Sequence, residues 1–256
     1  MGAQRSKSSF VVLGALAVLA LGAGVALRRV LVRPAHAVDA RRAPAPGAST
    51  TGGPPGELVL HVPHLPGSIV LDGDTDDPGW TQPPGPARTG PFLMPDGSEA
   101  RPYSNTRLVW GDGHLYLALY AADEDIETRT TQPDGPLWLD DSYRVTFEAP
   151  GVQYVIEVSP TGVVTDAIRR AGGPYDYSWS SGAHVSPERD GTVNNPNDMD
   201  EEWVIEMAVP FESLGMKGEP GESIGLSLRR CDTPKRSPRV CRSWGEGEDK
   251  GRIVLD

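Results

Sequence analysis

The feature that most constrains this chain is an alternation of apolar residues, period two, that is repeatedly cut by Gly-, Pro- and Asp-containing turns. From His114 to Ala121, Leu115, Leu117 and Leu119 fall on one face and Tyr116, Ala118 and Tyr120 on the other. Thr106 to Trp110 precedes this run across Gly111-Asp112-Gly113. Asp-Gly supplies the positive φ angles of a tight turn, so the two runs predict a β-hairpin. A second hairpin joins Ser142–Glu148 to Val152–Ser159 across Pro150-Gly151. Tyr143, Val145 and Phe147 share a face there, as do Tyr154, Ile156 and Val158 on the partner. Leu58–Val62, Ser68–Leu71, Trp203–Val209, Ile224–Arg229 and Ile253–Leu255 read as further strands, and Phe211–Gly215 as one helical turn after Pro210. Nothing beyond residue 57 sustains a 3.6-residue period. The 30 glycines and 25 prolines fit many turns between short strands. The expected fold is all-β, a two-sheet antiparallel β-sandwich of jelly-roll-like form.

Two N-terminal segments stand outside this pattern. Arg5 and Lys7 precede an uncharged run from Phe10 to Leu27, so residues 1–37 form a signal peptide or a membrane anchor, an N-terminal hydrophobic helix in either case. Ala35-His36-Ala37 suits cleavage, while Arg28, Arg29 and Arg33 favour a retained anchor. Residues 38–56 are a disordered linker rich in Pro, Ala and Gly, and residues 57–256 make the sandwich. The expected location is extracytoplasmic, either anchored at the inner membrane facing the periplasm or secreted after cleavage, with membrane contact only through the N-terminal segment.

The charge narrows the partners. The whole chain has a formal charge of −11, and without residues 1–37 there remain 19 basic against 35 acidic groups. Such a surface repels phosphate backbones, which excludes nucleic acid as the expected partner. Cys231 and Cys241 are the only cysteines. In an exported protein they are expected to form a disulfide, the plainer alternative being two buried thiols. Asp72, Asp74 and Asp76 have the alternate spacing of a calcium loop, yet Pro83 stands where the bidentate Glu of such a loop belongs. Asp123, Glu124 and Asp125 form a second acidic group, and Asn194 to Asp200 a third.

Seven strings follow one another in a recognisable order: LDGDTDDPGW (71–80), TRLVWGDGHLYLALYAADEDI (106–126), LWLDDSYRVTFEAP (137–150), YVIEVSPTGVVTDA (154–167), EEWVIEMAVPFESLG (201–215), ESIGLSLRRCD (222–232) and SWGEGEDKGRIVL (243–255). The series, spanning residues 57–256, resembles the family 9 carbohydrate-binding modules. That resemblance implies a non-catalytic sandwich that binds mono- or oligosaccharides, often at chain ends and in support of polysaccharide catabolism, with structural calcium. It implies that two Trp rings clamp a sugar, here Trp138 and Trp244, with Asp141 and the residue at 144 among the polar contacts. The family usually has Glu where this chain has Arg144. An Arg supplied by the next strand has no counterpart in Tyr154-Val155-Ile156-Glu157.

The residues themselves leave alternatives open. An indole offers an apolar platform to the C–H face of a sugar; Trp138 sits on a loop, as does Trp179 among Tyr175, Tyr177 and Ser178. Trp80, Trp110 and Trp203 lie in strand patterns and read as core. Asp140 and Asp141 could suggest the acid and base of a glycoside hydrolase, but neighbours on a strand point to opposite faces. A haem-binding sandwich would draw on Met94, Met207 or Met216 with His114 or His184, and no spacing singles out a pair. The last alternative is an envelope structural or protein-interaction module whose sugar site is lost.

Overall fold

The structure, a computed structural model, describes residues 56–235, 238–247 and 250–256. The targeting segment and the linker up to residue 55 lie outside the described residues. Among the described residues no helix is long and apolar enough to cross a membrane.

The first half of the chain supplies β1 (Glu57–Val62), the helical turn α1 (Pro78–Thr81), β2 (Ala87–Arg88), β3 (Ser104–Gly111), β4 (His114–Ala122), β5 (Ser142–Ala149) and β6 (Val152–Val158). The second half adds β7 (Val164–Arg170), β8 (Tyr175–Asp176), β9 (His184–Asp190), β10 (Glu202–Pro210), β11 (Ser223–Asp232), β12 (Val240–Trp244) and β13 (Lys250–Leu255). They form two sheets. The larger runs β1-β13-β11-β5-β6-β7-β8 with β12 also on β11, and the smaller runs β2-β3-β4-β10-β9. Both hairpins form as expected, with Asp112 and Gly113 at φ 49 and 78 in the turn between β3 and β4.

The alternation explains the layers. Leu115, Leu117 and Leu119 of β4 meet Trp203, Ile205, Met207 and Val209 of β10 on one inner face; Tyr143, Val145, Phe147, Ile156, Val158 and Leu228 supply the other. All of these are buried. Burying each large side chain stabilises the fold by roughly 1.5–3 kcal/mol relative to leaving it exposed. Trp110 and Trp203 lie in this core. Trp80 joins a separate apolar layer with Val109 and Ala118, on the outside of the smaller sheet.

Three local readings differ from expectation. Ser68–Leu71 is not a strand: Asp77 accepts the Val70 N–H at 2.6 Å, and the segment covers the Trp80 layer instead. Ile69 packs inward there while Val70 stays 60% exposed, so the alternation is present without a partner strand. β1 pairs with β13 in parallel, the one exception to an otherwise antiparallel set of ladders among the described residues. Nearly the whole domain lies between these strands, and a parallel pair needs such a long connection. Finally, β2, β7, β8, β9 and β12 add strands that the alternation did not announce; β9 is a polar edge strand carrying Pro187, where a missing N–H costs nothing.

Candidate functional site on the outer face of the larger sheet

On β5 the residues between the core positions face outward: Arg144, Thr146 and Glu148. The ladders line up a polar row across four strands, Arg229 on β11, Arg144 on β5, Glu157 on β6 and Thr165 on β7. Two outward positions further along, beyond the Thr146 row, Glu148, Gln153, Arg169 and Tyr175 make a second polar row. Between these rows and the loop around Glu246 lies an open cleft of about 290 Å³.

Its side chains are held in place by one another. The Arg144 Nη2 donates to Glu157 Oε2 at 2.9 Å, and Ser142 Oγ donates to the other oxygen of Glu157 at 3.0 Å. Arg229 donates to Glu246 Oε2 through Nε at 3.1 Å and Nη2 at 2.8 Å. Arg169 caps the carbonyls of Gly173 and Gly172 and lies over the Tyr175 ring, 5.5 Å from its centroid. Tyr177 stands beside Tyr175, ring centroids 6.4 Å apart, and both rings are partly open to solvent. Burial works against the Arg144 charge, but Glu157 beside it outweighs that and moves its pKa up. The face therefore offers fixed donors, fixed acceptors and an aromatic surface within one cleft.

The expected site residues are scattered by comparison. Trp138 is 52% exposed on a short 3₁₀ turn, Leu137–Leu139, that runs into the Arg144 end of β5. Arg144 is in the cleft. Trp244 is not available as the second half of a clamp, because the ladder opposes it to Leu228 and both side chains are buried in the core. It packs on Gly251, where an added Cβ would fall 2.7 Å from the indole and 2.1 Å from the Leu226 carbonyl oxygen. Trp179 leans on Tyr154 at 5.5 Å, and Tyr154 pairs with Phe147 near the far end of β5 from Trp138. Asp141 is fully buried, its two oxygens accepting the N–H groups of Thr233 at 2.8 Å and Glu127 at 2.7 Å, so it does not reach the ligand face. Asp140 serves the same loop through Thr128 and Thr130 and forms no acid–base couple with Asp141. Met207, a candidate haem ligand by type, is fully buried between the sheets.

The cleft residues not singled out include Glu148, Gln153, Arg169, Arg229, Glu246 and Lys250, and Tyr175 stands out in the sequence only as a neighbour of Trp179. The outward parity of Arg144, Thr146 and Glu148 is visible in the string RVTFE. Its coincidence with Arg229 and Glu157 depends on the register of three strands.

Cys231 and Cys241 face each other across β11 and β12 and are joined as a disulfide. Asp72, Asp74 and Asp76 do not converge. The Asp72 carboxylate accepts the Asp74 N–H at 3.0 Å, and the segment is pinned by buried Glu206, which accepts the N–H groups of Asp72 and Gly73 and the Trp80 indole N–H. Burial holds the Glu206 carboxyl above its usual range.

Asp123, Asp141 and Asp232 do converge, buried at one end of the sandwich interior. Two guanidiniums already neutralise them. Fully buried Arg230 donates to Asp123 at 2.8 Å and lies 3.5 Å from Asp232, and Arg242 donates to Asp232 at 3.1 Å. The Trp203 indole N–H also reaches Asp123, at 2.9 Å. Burial, with Asp123 and then Asp232 nearby, pushes Asp141 up to about 8. Even with all three carboxylates ionised, the two guanidiniums leave a single negative charge, and a divalent cation would turn the buried cluster net positive. These residues do not fit the structural calcium that the resemblance implies.

No sequence-family model matches the chain, and no protein of curated function matches it. Two solved structures resemble it in fold. A candidate carbohydrate-binding protein from Bacteroides uniformis superposes with a TM-score of 0.60 at 12% identity, over 77% of this chain and 99% of that one. A family 9 carbohydrate-binding module from Caldicellulosiruptor kristjanssonii, solved with cellotriose, gives 0.52 at 15% identity, over 77% of this chain and 93% of that one. The two-sheet sandwich of this protein is thus the fold of the family 9 carbohydrate-binding modules.

Proposed function

We propose that this protein is a non-catalytic carbohydrate-binding sandwich whose site is the cleft on the outer face of the larger sheet. The observation that carries the reading is the pairing, in one cleft, of an aromatic surface with fixed polar groups of both kinds. Sugar hydroxyls need both donors and acceptors, and sugar C–H faces need an apolar plane. Tyr175 supplies the plane, held by Arg169, and Arg144, Gln153, Glu148 and Glu246 supply the polar contacts. Trp138, exposed on the turn that leads into β5, lies outside the lining of the cleft and would add an apolar contact to a longer ligand. The neighbour solved with cellotriose supports this reading by its fold. Glu157 and Glu246 are each tied to a guanidinium, an arrangement suited to orienting a ligand more than to moving protons. Residues 1–37 would deliver the domain outside the cytoplasm, on an anchor or after cleavage.

Titration calorimetry of the full-length chain in mild detergent, against glucose, cellotriose and a panel of other oligosaccharides, tests the proposal. Saturable heat that is lost in Tyr175→Ala, with an unchanged circular-dichroism spectrum, is the expected result. Silence across neutral and acidic sugars from a folded protein would sink it and turn attention to protein partners of the envelope.

A further inference from the structure

Arg144 and Arg229 are direct cross-strand partners on the outer face of the sheet. Like charges placed opposite each other in a ladder work against the fold, so this pair is not explained by strand pairing. Each guanidinium is buttressed from its far side, Arg144 by Glu157 and Arg229 by Glu246, in the order Glu246, Arg229, Arg144, Glu157. The two side chains remain 31% and 43% exposed. Buttressing fixes their orientation before any ligand arrives and uses only part of the donor set of each fork. What remains is a pair of neighbouring guanidiniums, each pre-oriented by its carboxylate, with donors left to recognise carboxylate or sulfate oxygens by charge-assisted hydrogen bonds.

The wider cleft agrees. Among the described residues its lining holds the cations Arg144, Arg169, Arg229 and Lys250 against the carboxylates Glu148 and Glu246. Counting Glu157 behind Arg144 still leaves the cations ahead, in a chain whose formal charge is −11. A local reversal of sign on an acidic protein draws an anion to that place and keeps it from the rest of the surface.

We propose that the ligand of this cleft is an acidic saccharide, one carrying a carboxylate or a sulfate, and that Arg144 and Arg229 bind its anionic group while Tyr175 supports the ring. The proposal rests on the carbohydrate reading above and narrows its substrate class.

Calorimetry on the full-length chain with three matched probes tests it: trigalacturonate, its methyl ester, and a sulfated galactan trimer, with cellotriose as the neutral reference. The expected result is binding of trigalacturonate or of the sulfated trimer at least tenfold tighter than of the ester and cellotriose. That preference should shrink as salt rises and disappear in Arg144→Gln and Arg229→Gln. Preference for the sulfated trimer alone would support the proposal and assign the anion as a sulfate ester. Equal binding of charged and neutral sugars would overturn the acidic-ligand proposal and leave the carbohydrate reading standing. Tight acidic-sugar binding that both glutamine variants retain would overturn the assignment of the two arginines. Loss of all sugar binding, in wild type with a native spectrum, would remove both readings together.

Discussion

Replacing Arg230 with Met should reveal how the buried charge cluster is held, because the substitution keeps length and apolar bulk while removing the cation. Arg230 is fully buried, bonds Asp123 at 2.8 Å, lies 3.5 Å from Asp232 and sits 6.0 Å from the centre of the Trp203 ring. Without it, Asp123 keeps only the indole N–H and the Asp125 N–H, and Arg242 alone faces three acids. Removing one partner of a buried pair costs about 3–5 kcal/mol, since the remaining charge stays out of water. For a domain of this size that is a fall in Tm of roughly 10 °C. The loss should depend on pH, and the sign follows from the direction of the shifts. Burial already raises Asp141 to about 8 and raises Asp232 as well. A carboxyl raised in the folded state holds its proton where the unfolded chain has lost it. It therefore contributes most at low pH and loses its contribution as pH rises from the unfolded value of about 4 towards the folded one. Deleting the Arg230 cation removes an attraction that lowers Asp232, so the variant should lose stability more steeply across this window. Chemical denaturation of wild type and Arg230→Met at pH 5.5 and pH 8 measures it. A loss below about 1 kcal/mol, or the same loss at both pH values, would refute the idea that Arg230 is the counterion of a strained acid cluster.

Other substitutions probe separate parts of the structure. Trp138→Ala should leave stability within about 0.5 kcal/mol, given its exposure, while weakening sugar binding about tenfold, or ~1.4 kcal/mol; unchanged affinity by calorimetry would take Trp138 out of the site. Glu206→Gln should cost about 1–3 kcal/mol, because an amide cannot accept from Asp72, Gly73 and Trp80 with both of its arms, and urea unfolding reads the loss. Reducing Cys231–Cys241, separated by 10 residues, should cost about 2–3 kcal/mol and lower Tm, whereas thiol titration of the denatured, unreduced protein that finds two free thiols would contradict the bridge. Adding calcium or a chelator should leave Tm unchanged, because Arg230 and Arg242 already occupy the charge balance of the buried acids; a calcium-dependent rise in thermal scans would show that the cluster can shed that balance.

The fold was legible because its signal is local. Leu115, Leu117 and Leu119 declare their face without help, and Asp112-Gly113 declares the turn that joins them to β3. Strands whose evidence is not local escaped: β9, His184–Asp190, is nearly all polar because it is an edge, and β12, Val240–Trp244, is too short to show a period. The site suffered more from the same limit. Trp244 reads as a loop aromatic until the ladder opposes it to Leu228, which turns it inward. Asp141 reads as an available carboxylate until the chain folds Glu127 and Thr233 onto it. Tyr175 and Tyr177, two apart in a glycine-flanked segment, carry a local hint of an exposed pair, but only the ladder from β7 to β8 brings Tyr175 over the cleft.

The two departures from the family pattern acquire a meaning only in three dimensions. The resemblance implies a Glu where Arg144 stands and an Arg on the next strand, where this chain has Val155. The ladder sets Val155 against Thr146 and pairs Arg144 with Glu157, joined at 2.9 Å. Read singly, each looks like the erosion of a binding site. Arg144 is nonetheless held on the outer face by its ion pair with Glu157, a cross-strand attraction that supports the sheet. A ligand lying over the row meets the Arg144 guanidinium beside Arg229 on β11. Placing these two cations opposite each other works against the sheet, an effect offset by Glu157 and Glu246, and brings both guanidiniums into the cleft. A sandwich that keeps its architecture through such a step can change the sign of what it binds, and the charged and uncharged forms of one sugar are the probes that separate that change from simple loss.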